Sequence, residues 1–228
     1  MAPGRQPTPP SQEELLELTR RAFASRGLAL PPKDTIGALT LHLAELYRWN
    51  TRINLTAIRD GSTGVLRHLL ESWEGVVALR EAGAGDHGLL VDLGSGNGYP
   101  ALGVLAGFPE WRGVLYESVG RKVDFLRSTV QRLGWTDRVE VRQERVRNAA
   151  DLPTADIVTF RAFPHPEAWA REVLQTRVAP TLLTWLSAQD ARQVAETLDR
   201  IGCSSHILPL RSHAKGALLL ARRPADGP

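Results

Sequence analysis

The sequence has one cysteine, Cys203, which excludes an internal disulfide framework and any thiolate metal cluster. Its histidines and carboxylates form no pair with metal-ligand spacing, so no metal is expected. Every apolar run falls far short of the roughly 18 residues that a membrane span requires, and no membrane is expected as a partner. The opening stretch MAPGRQPTPPS has no apolar h-region and so no secretory signal. Residues 1–10 read as a disordered, proline-rich tail, and a reducing cytoplasm is the expected location. The phosphate-cradling motif G-x-x-x-x-G-K-[ST] is missing, which argues against a nucleoside triphosphate. Lysine is also scarce: of the 28 basic residues only Lys33, Lys122 and Lys215 are lysines. The arginines that replace it suit phosphate forks and base edges.

What is present suits one α/β domain with an appendage. The chain has 228 residues, 43% of them hydrophobic and 23% charged, enough for a sizeable core. Ser11 followed three residues later by Glu14 is a capping box ahead of an apolar-periodic run to about Arg26. A second helix fits Pro32 to Trp49, with Leu39, Leu43, Leu46 and Tyr47 on one stripe, and a third fits Ser62 to Arg80. Residues 11–85 therefore read as a helical amino-terminal subdomain, with Glu81 to Gly88 as a flexible link.

From residue 86 to 224 strands and helices alternate. Strands are expected at Leu89–Leu93, Val114–Glu117, Val139–Arg142, Ile157–Phe160, Thr181–Leu186, Ser205–Leu208 and Ala217–Ala221. Helices are expected at Pro100–Ala106, Arg121–Leu133, Pro166–Arg177 and Ala188–Ile201. Seven strands, mostly separated by helices, predict a doubly wound α/β sheet. The last two strands are joined by a short loop and are expected to pair antiparallel at one edge.

The first strand runs into Val91-Asp92-Leu93-Gly94-Ser95-Gly96-Asn97-Gly98. Glycines there let the chain turn sharply and let a ligand approach the backbone at the carboxyl edge of the sheet. The dinucleotide pattern G-x-G-x-x-G would need a glycine where Tyr99 stands, which disfavours a dehydrogenase. Glu117 ends the second strand 19 residues past Gly98, about where a carboxylate accepts both hydroxyls of a ribose. A nucleoside cofactor without a pyrophosphate fits this pair, and S-adenosylmethionine meets that description best. The alternatives are that Asp92 caps the next helix and that Glu117 is a surface carboxylate. Residues 111–150 hold nine Lys/Arg against five Asp/Glu, which suits a polyanionic partner or a solvated face.

The stretches LYRWNTRINLTAIRD (46–60), RHLLES (67–72), LLVDLGSGNGYPAL (89–102), SVGRKVDFLR (118–127) and TFRAF (159–163) together resemble the RsmG (GidB) family of bacterial ribosomal RNA methyltransferases. The resemblance implies a Rossmann-like class I methyltransferase domain with a seven-stranded sheet behind the amino-terminal helices. It also implies methyl transfer from S-adenosylmethionine to N7 of a guanine in 16S ribosomal RNA, with that RNA or the small ribosomal subunit as partner; a monomer is expected. Position by position, Asp92, Gly94, Gly96, Gly98 and Tyr99 would border the methionine part of the cofactor. Glu117 would take the ribose, Arg145 and Val146 would lie near the adenine, and Arg161 would stand at the edge of the catalytic pocket. The family's fifth strand usually ends in a lysine-glycine turn, whereas Leu182 to Ser187 contains no lysine.

Guanine N7 carries no proton at neutral pH, so its methylation needs alignment and no general base. The end of the fourth strand reads Phe160-Arg161-Ala162-Phe163, where enzymes that methylate exocyclic amines commonly have an Asn/Asp-Pro-Pro-aromatic turn. Arg161 is expected to bind guanine O6 or a phosphate, and Phe163 to help hold the base. The competing expectations are an Arg161 paired with a carboxylate such as Asp156, and a Phe163 in the core. Arg121, Lys122 and Arg127 share a helix and would meet RNA phosphates or only water. Asn50, Asn54 and Thr56 are expected to shape the turn after the second helix, with His68 closing over the pocket. A relative that binds cofactor or RNA without transferring a methyl group, and a class I methyltransferase with another substrate, are the alternative functions.

Overall fold

The computed structural model describes residues 8–224, and most of the expected tail lies outside them. Seven strands form one sheet in the order β3-β2-β1-β4-β5-β7-β6. They are β1 (Leu89–Leu93), β2 (Arg112–Glu117), β3 (Val139–Gln143), β4 (Ile157–Arg161), β5 (Thr181–Ser187), β6 (Ser204–Pro209) and β7 (Gly216–Arg222). The first five are parallel; β7 runs antiparallel to β5, and β6 to β7. The expected antiparallel edge is therefore present, with β7 inserted between β5 and β6.

Central strands of a doubly covered sheet are apolar on both sides, and here the two-residue period assigns each residue to one of two cores. Leu90, Leu115, Ile157, Leu183 and Trp185 face one layer. Val91, Leu93, Val114, Val158, Phe160 and Leu182 face the other. The second layer is completed by α7 (Pro166–Gln175) and α8 (Ala188–Asp199), through Ala170, Val173, Val194 and Leu198. The first layer holds α5 (Ala101–Gly107) and α6 (Gly120–Arg132). Its cluster continues without a break into Leu15, Leu43, Leu46, Val65 and Leu79 of the amino-terminal helices. Those helices, α1 (Gln12–Ala24) and α2 (Lys33–Asn50) among them, thus share a core with the sheet. The capping box at Ser11 and Glu14 is formed as expected. Cys203 is buried, as a small core residue would be.

Two segments differ from the sequence expectation. The run from 62 to 80 is not one α-helix: it divides into α3 (Gly61–Gly64), a π turn over Val65–Leu70, and α4 (Glu71–Glu81). The wider turn allows Val65, His68, Leu69 and Leu70 all to face inward, which a single 3.6-residue stripe does not. The Glu81–Gly88 link is pinned rather than loose: Ala84 N–H donates to the Leu79 carbonyl and the Trp111 indole N–H to the Gly85 carbonyl, both at 2.9 Å.

Helix α4 crosses β5 at Gly75. A Cβ there would lie 2.5 Å from Cζ2 of Trp185, whose indole N–H donates to the Glu71 carbonyl at 3.0 Å. The indole is rigid and closed in, so Gly75→Ala must separate helix from strand despite the gain in helix propensity. We expect a net loss of about 2 kcal/mol, read as a fall in thermal midpoint of roughly 4–8 °C. An unchanged midpoint would show that the crossing yields without cost.

Candidate active site

The site forms where β1, β2 and β4 end. After β1 the chain reverses through Gly94 (φ 66°) and Gly98 (φ 79°), in the left-handed region that glycine adopts freely. A Cβ on Gly94 would meet the Phe163 ring at 2.9 Å, so the loop lies directly against the segment that follows β4. Ser95 N–H donates to the Tyr116 carbonyl at 2.9 Å, fixing the loop across the end of β2. Asn97 ties the loop to the helical layer: its carbonyl accepts from His42 Nε2 at 2.8 Å, and its side-chain oxygen accepts from Tyr99 N–H at 3.2 Å.

Glu117 is 5% exposed and so is no surface carboxylate. Its Oε2 accepts from Gly96 N–H at 2.9 Å and its Oε1 from Val119 N–H at 2.8 Å. Each oxygen keeps a lone pair to accept from a ligand hydroxyl. Asp92 does not cap the next helix. It is 1% exposed and accepts from the Thr159 hydroxyl at 2.7 Å. Burial pushes its carboxyl up to about 6, against the opposing effects of the Ser95 and Thr159 hydrogen bonds and the Arg161 charge.

Arg161 is held on three sides. Nη1 donates to the Arg67 carbonyl at 3.0 Å and to Glu71 Oε2 at 3.4 Å, and Nη2 donates to His68 Nδ1 at 3.2 Å. Its carboxylate partner is therefore Glu71 and not Asp156, which instead accepts from Leu89 N–H at the start of β1. Burial lowers the pKa of Arg161 and Glu71 opposes the shift. Burial, then the Arg161 charge, keeps the His68 imidazole well below its ordinary value, so it is neutral. Accepting at Nδ1, His68 carries its proton on Nε2 and donates it to the Thr56 hydroxyl at 3.3 Å. Thr56 is placed by Asn50, whose side-chain oxygen accepts from Leu55 and Thr56 N–H at 2.8 and 3.1 Å. The structural role expected of Asn50 and Thr56 is thus present, and it ends on Arg161. Three of the five guanidinium N–H groups are engaged, which leaves two for a ligand.

A cavity of about 720 Å³ opens beside Arg161, lined by Arg161, Phe163, His68, Thr56, Asn97 and Lys215 among others; the loop glycines, Asp92 and Glu117 do not border it. Phe163 is half-buried and packs edge-on against Trp169, so it belongs both to the core and to the cavity wall. Lys215, just before β7, supplies a cation where β5 ends without one; its carbonyl accepts from Ala188 N–H at 3.0 Å. The carboxyl-edge site therefore draws on a residue that no motif marks.

Other expected residues do not line this cavity. Tyr99 is 3% exposed, stacked on His42 at 3.9 Å and His68 at 4.9 Å between ring centroids, with its hydroxyl donating to the Leu39 carbonyl. It is an internal strut beneath the loop. Arg145 is exposed, and Val146 packs half-buried on the α7–α8 core. Arg127 is separated from Arg121 and Lys122: it donates to the Val141 carbonyl at 3.2 Å.

A mixed sheet of this order, parallel through β1 to β5, with a glycine loop after β1 and a carboxylate ending β2, defines a Rossmann-like class I methyltransferase fold. Two solved structures share it: a precorrin-6y C5,15-methyltransferase from Geobacter metallireducens (TM-score 0.52, 14% identity, 75% of this chain and 91% of that one) and a SAM-dependent methyltransferase from Aquifex aeolicus (TM-score 0.51, 18% identity, 67% and 89%). More specifically, the family model "rRNA small subunit methyltransferase G" (GidB) matches residues 35–205, and the chain belongs to that family. Proteins named ribosomal RNA small subunit methyltransferase G match at 42% identity in Chloroflexus aggregans (53% of this chain, 50% of that protein). The match is 40% in Xanthomonas oryzae pv. oryzae (62% and 64%) and 35% in Burkholderia mallei (70% and 69%). The chain thus spans from half to about two thirds of the length of these curated relatives.

Asp92 gives the site a pH signature. Its carboxyl rises from an ordinary 3.8 to about 6 on folding, so between these values the folded state binds more protons and stability falls as pH rises, levelling above about 7. Asp92→Asn removes that slope. Relative to the wild type, we expect it to gain about 2 kcal/mol between pH 4 and pH 7 in denaturant titrations. A constant difference across that range would mean that Asp92 is charged throughout.

Proposed function

We propose that this chain transfers a methyl group from S-adenosylmethionine to N7 of a guanine in 16S ribosomal RNA. The observation that carries the reading is Arg161: a half-buried guanidinium at the carboxyl end of β4, held by Glu71, His68 and the Arg67 carbonyl, with two N–H groups uncommitted beside the glycine loop.

The residues present fit the cofactor. A Cβ on Gly96 would meet only the Gly94 carbonyl, at 3.6 Å, so the middle of the loop is open to a ligand. Glu117 offers lone pairs to ribose hydroxyls, and Val119, 43% exposed two residues on, offers an apolar surface to an adenine. Arg145 and Val146 follow β3 on the same edge of the sheet. When bound, S-adenosylmethionine supplies an electrophilic methyl on a sulfonium sulfur. Asp92, beneath the loop, places negative charge near the methionine end.

On the substrate side, the uncommitted N–H groups of Arg161 suit the O6 acceptor of guanine, an edge that arginine commonly reads. Donation to O6 leaves the N7 lone pair free, and no residue has to remove a proton. The Phe163 ring offers the face against which an extruded base stacks, offsetting part of the cost of unstacking. Lys215 at the far wall suits a phosphate of the same nucleotide. Alignment within a walled cavity is the catalytic contribution this reading assigns to the protein.

Two substitutions separate the roles. Glu117→Ala should weaken S-adenosylhomocysteine binding at least tenfold in calorimetry. Arg161→Ala should lower methyl incorporation into unmodified small-subunit RNA about a hundredfold, with cofactor affinity within threefold of the wild type. Equal losses of transfer and cofactor affinity in Arg161→Ala would overturn its assignment to the substrate.

A further inference from the structure

A second groove, of about 580 Å³, shares a wall with the Arg161 cavity. Residues 55–58 of the segment after α2 line the cavity, whereas residues 51–54 and Arg59 line the groove. Neither the glycines of the loop, nor Glu117, nor Arg161 borders it, while Val119, the surface offered to an adenine, stands at its edge. The groove walls carry Arg52, Arg59, Arg121 and Lys122 and no carboxylate. Arg52, Arg59 and Arg121 are exposed and Lys122 is half-buried. Arg59 reaches only the Asn50 carbonyl, at 3.5 Å. The side chains of the other three make no hydrogen bond or ion pair among the described residues.

Several arginines elsewhere on the surface are paired. Arg21, Arg48, Arg67, Arg132 and Arg142 each have a carboxylate within 4.0 Å. Four cations from two separate elements facing one concave surface, uncompensated, repel one another and concentrate anions. The segment that presents Arg52 and Arg59 is fixed, because Asn50, buried at its base, bonds to Leu55 and Thr56. The groove offers no aromatic face for stacking: Tyr47, its one ring, is 4% exposed and its hydroxyl donates to the Asp60 carbonyl.

We propose that this groove holds the phosphodiester backbone of the RNA strand adjoining the nucleotide presented to Arg161. The identity of the polyanion rests on the methyl-transfer reading; the groove itself rests on its own charges. With cations and no stacking platform, it grips backbone and does not read sequence. It places the strand on one side of the 51–60 segment and the target base on the other. Arg127, tied to β3, takes no part.

The test uses two double variants of the full chain, Arg52→Gln/Lys122→Gln and Arg59→Gln/Arg121→Gln. Anisotropy would follow binding to a single-stranded 16S-derived RNA and to a scrambled RNA of equal length, over a salt series. Each double variant should bind both RNAs about tenfold more weakly at low salt, and the slope of log affinity against log salt should be shallower by about 1.4. S-adenosylhomocysteine affinity should stay within twofold, which also reports an intact fold. Unchanged RNA affinity and slope would overturn the proposal, as would a wild-type protein that binds no RNA. Displacement of RNA by polyglutamate at equal charge concentration would instead assign the groove to an acidic polypeptide. A wild type that binds RNA through the groove but transfers no methyl group would refute the catalytic reading alone. Double variants that bind and methylate like the wild type would refute the groove alone.

Discussion

A carboxylate that is 2% exposed, Glu71, has to be neutralised where it stands, and the way it is neutralised organises the site. A buried charge is tolerable only with opposite charge and hydrogen bonds around it. Glu71 receives Arg67 from its own helix at 2.9 Å, Arg161 from the end of β4 at 3.4 Å and the Ser212 hydroxyl from the loop before β7 at 2.9 Å. Its carbonyl also takes the Trp185 indole of β5. One residue thus gathers two strands, a π turn and a distant loop. Arg161 is correspondingly a fixed group with a defined remainder of N–H groups.

The amino-terminal helices are part of this arrangement. His42 from α2 is neutral, its imidazole lowered to about 4 by burial. It donates to the glycine loop at Asn97 while its ring stacks on Tyr99. Tyr99 stacks in turn on His68, which meets Arg161. Loop and guanidinium, the two halves of the proposed reaction centre, are therefore registered to each other through rings from the helical layer. The turn 51–60 adds a second path, from Asn50 through Thr56 to the same histidine.

Much of this was legible in the sequence, for identifiable reasons. Short, nearly continuous apolar runs marked the central strands, because each serves two cores at once. The glycine loop was legible because backbone reversal demands glycine at particular spacing, and Glu117 because it ends the strand beside that loop. The role of Tyr99 was not: an aromatic beside a glycine loop looks like a ligand contact until the helix that stacks on it is in place. Glu71 and Lys215 were equally hidden, since nothing local distinguishes a buried carboxylate from a solvated one, or a loop lysine from any other. The π turn escaped because a stripe of Val65, Leu69 and Trp73 satisfies an α-helical period. Only the added inward position, Leu70, betrays the wider turn.

The place of β7 bears on how the molecule is made. It follows every other described element in the chain, yet it lies between β5 and β6. A chain emerging amino terminus first can fold β1 to β5 while β6 still lacks the neighbour it needs. Ser212 and Lys215, which complete the surroundings of Glu71 and the far wall of the cavity, emerge immediately before that strand. On the ribosome, then, the chain carries an unfinished sheet and an open site, and both close in a single late event when residues 216–222 slot into place.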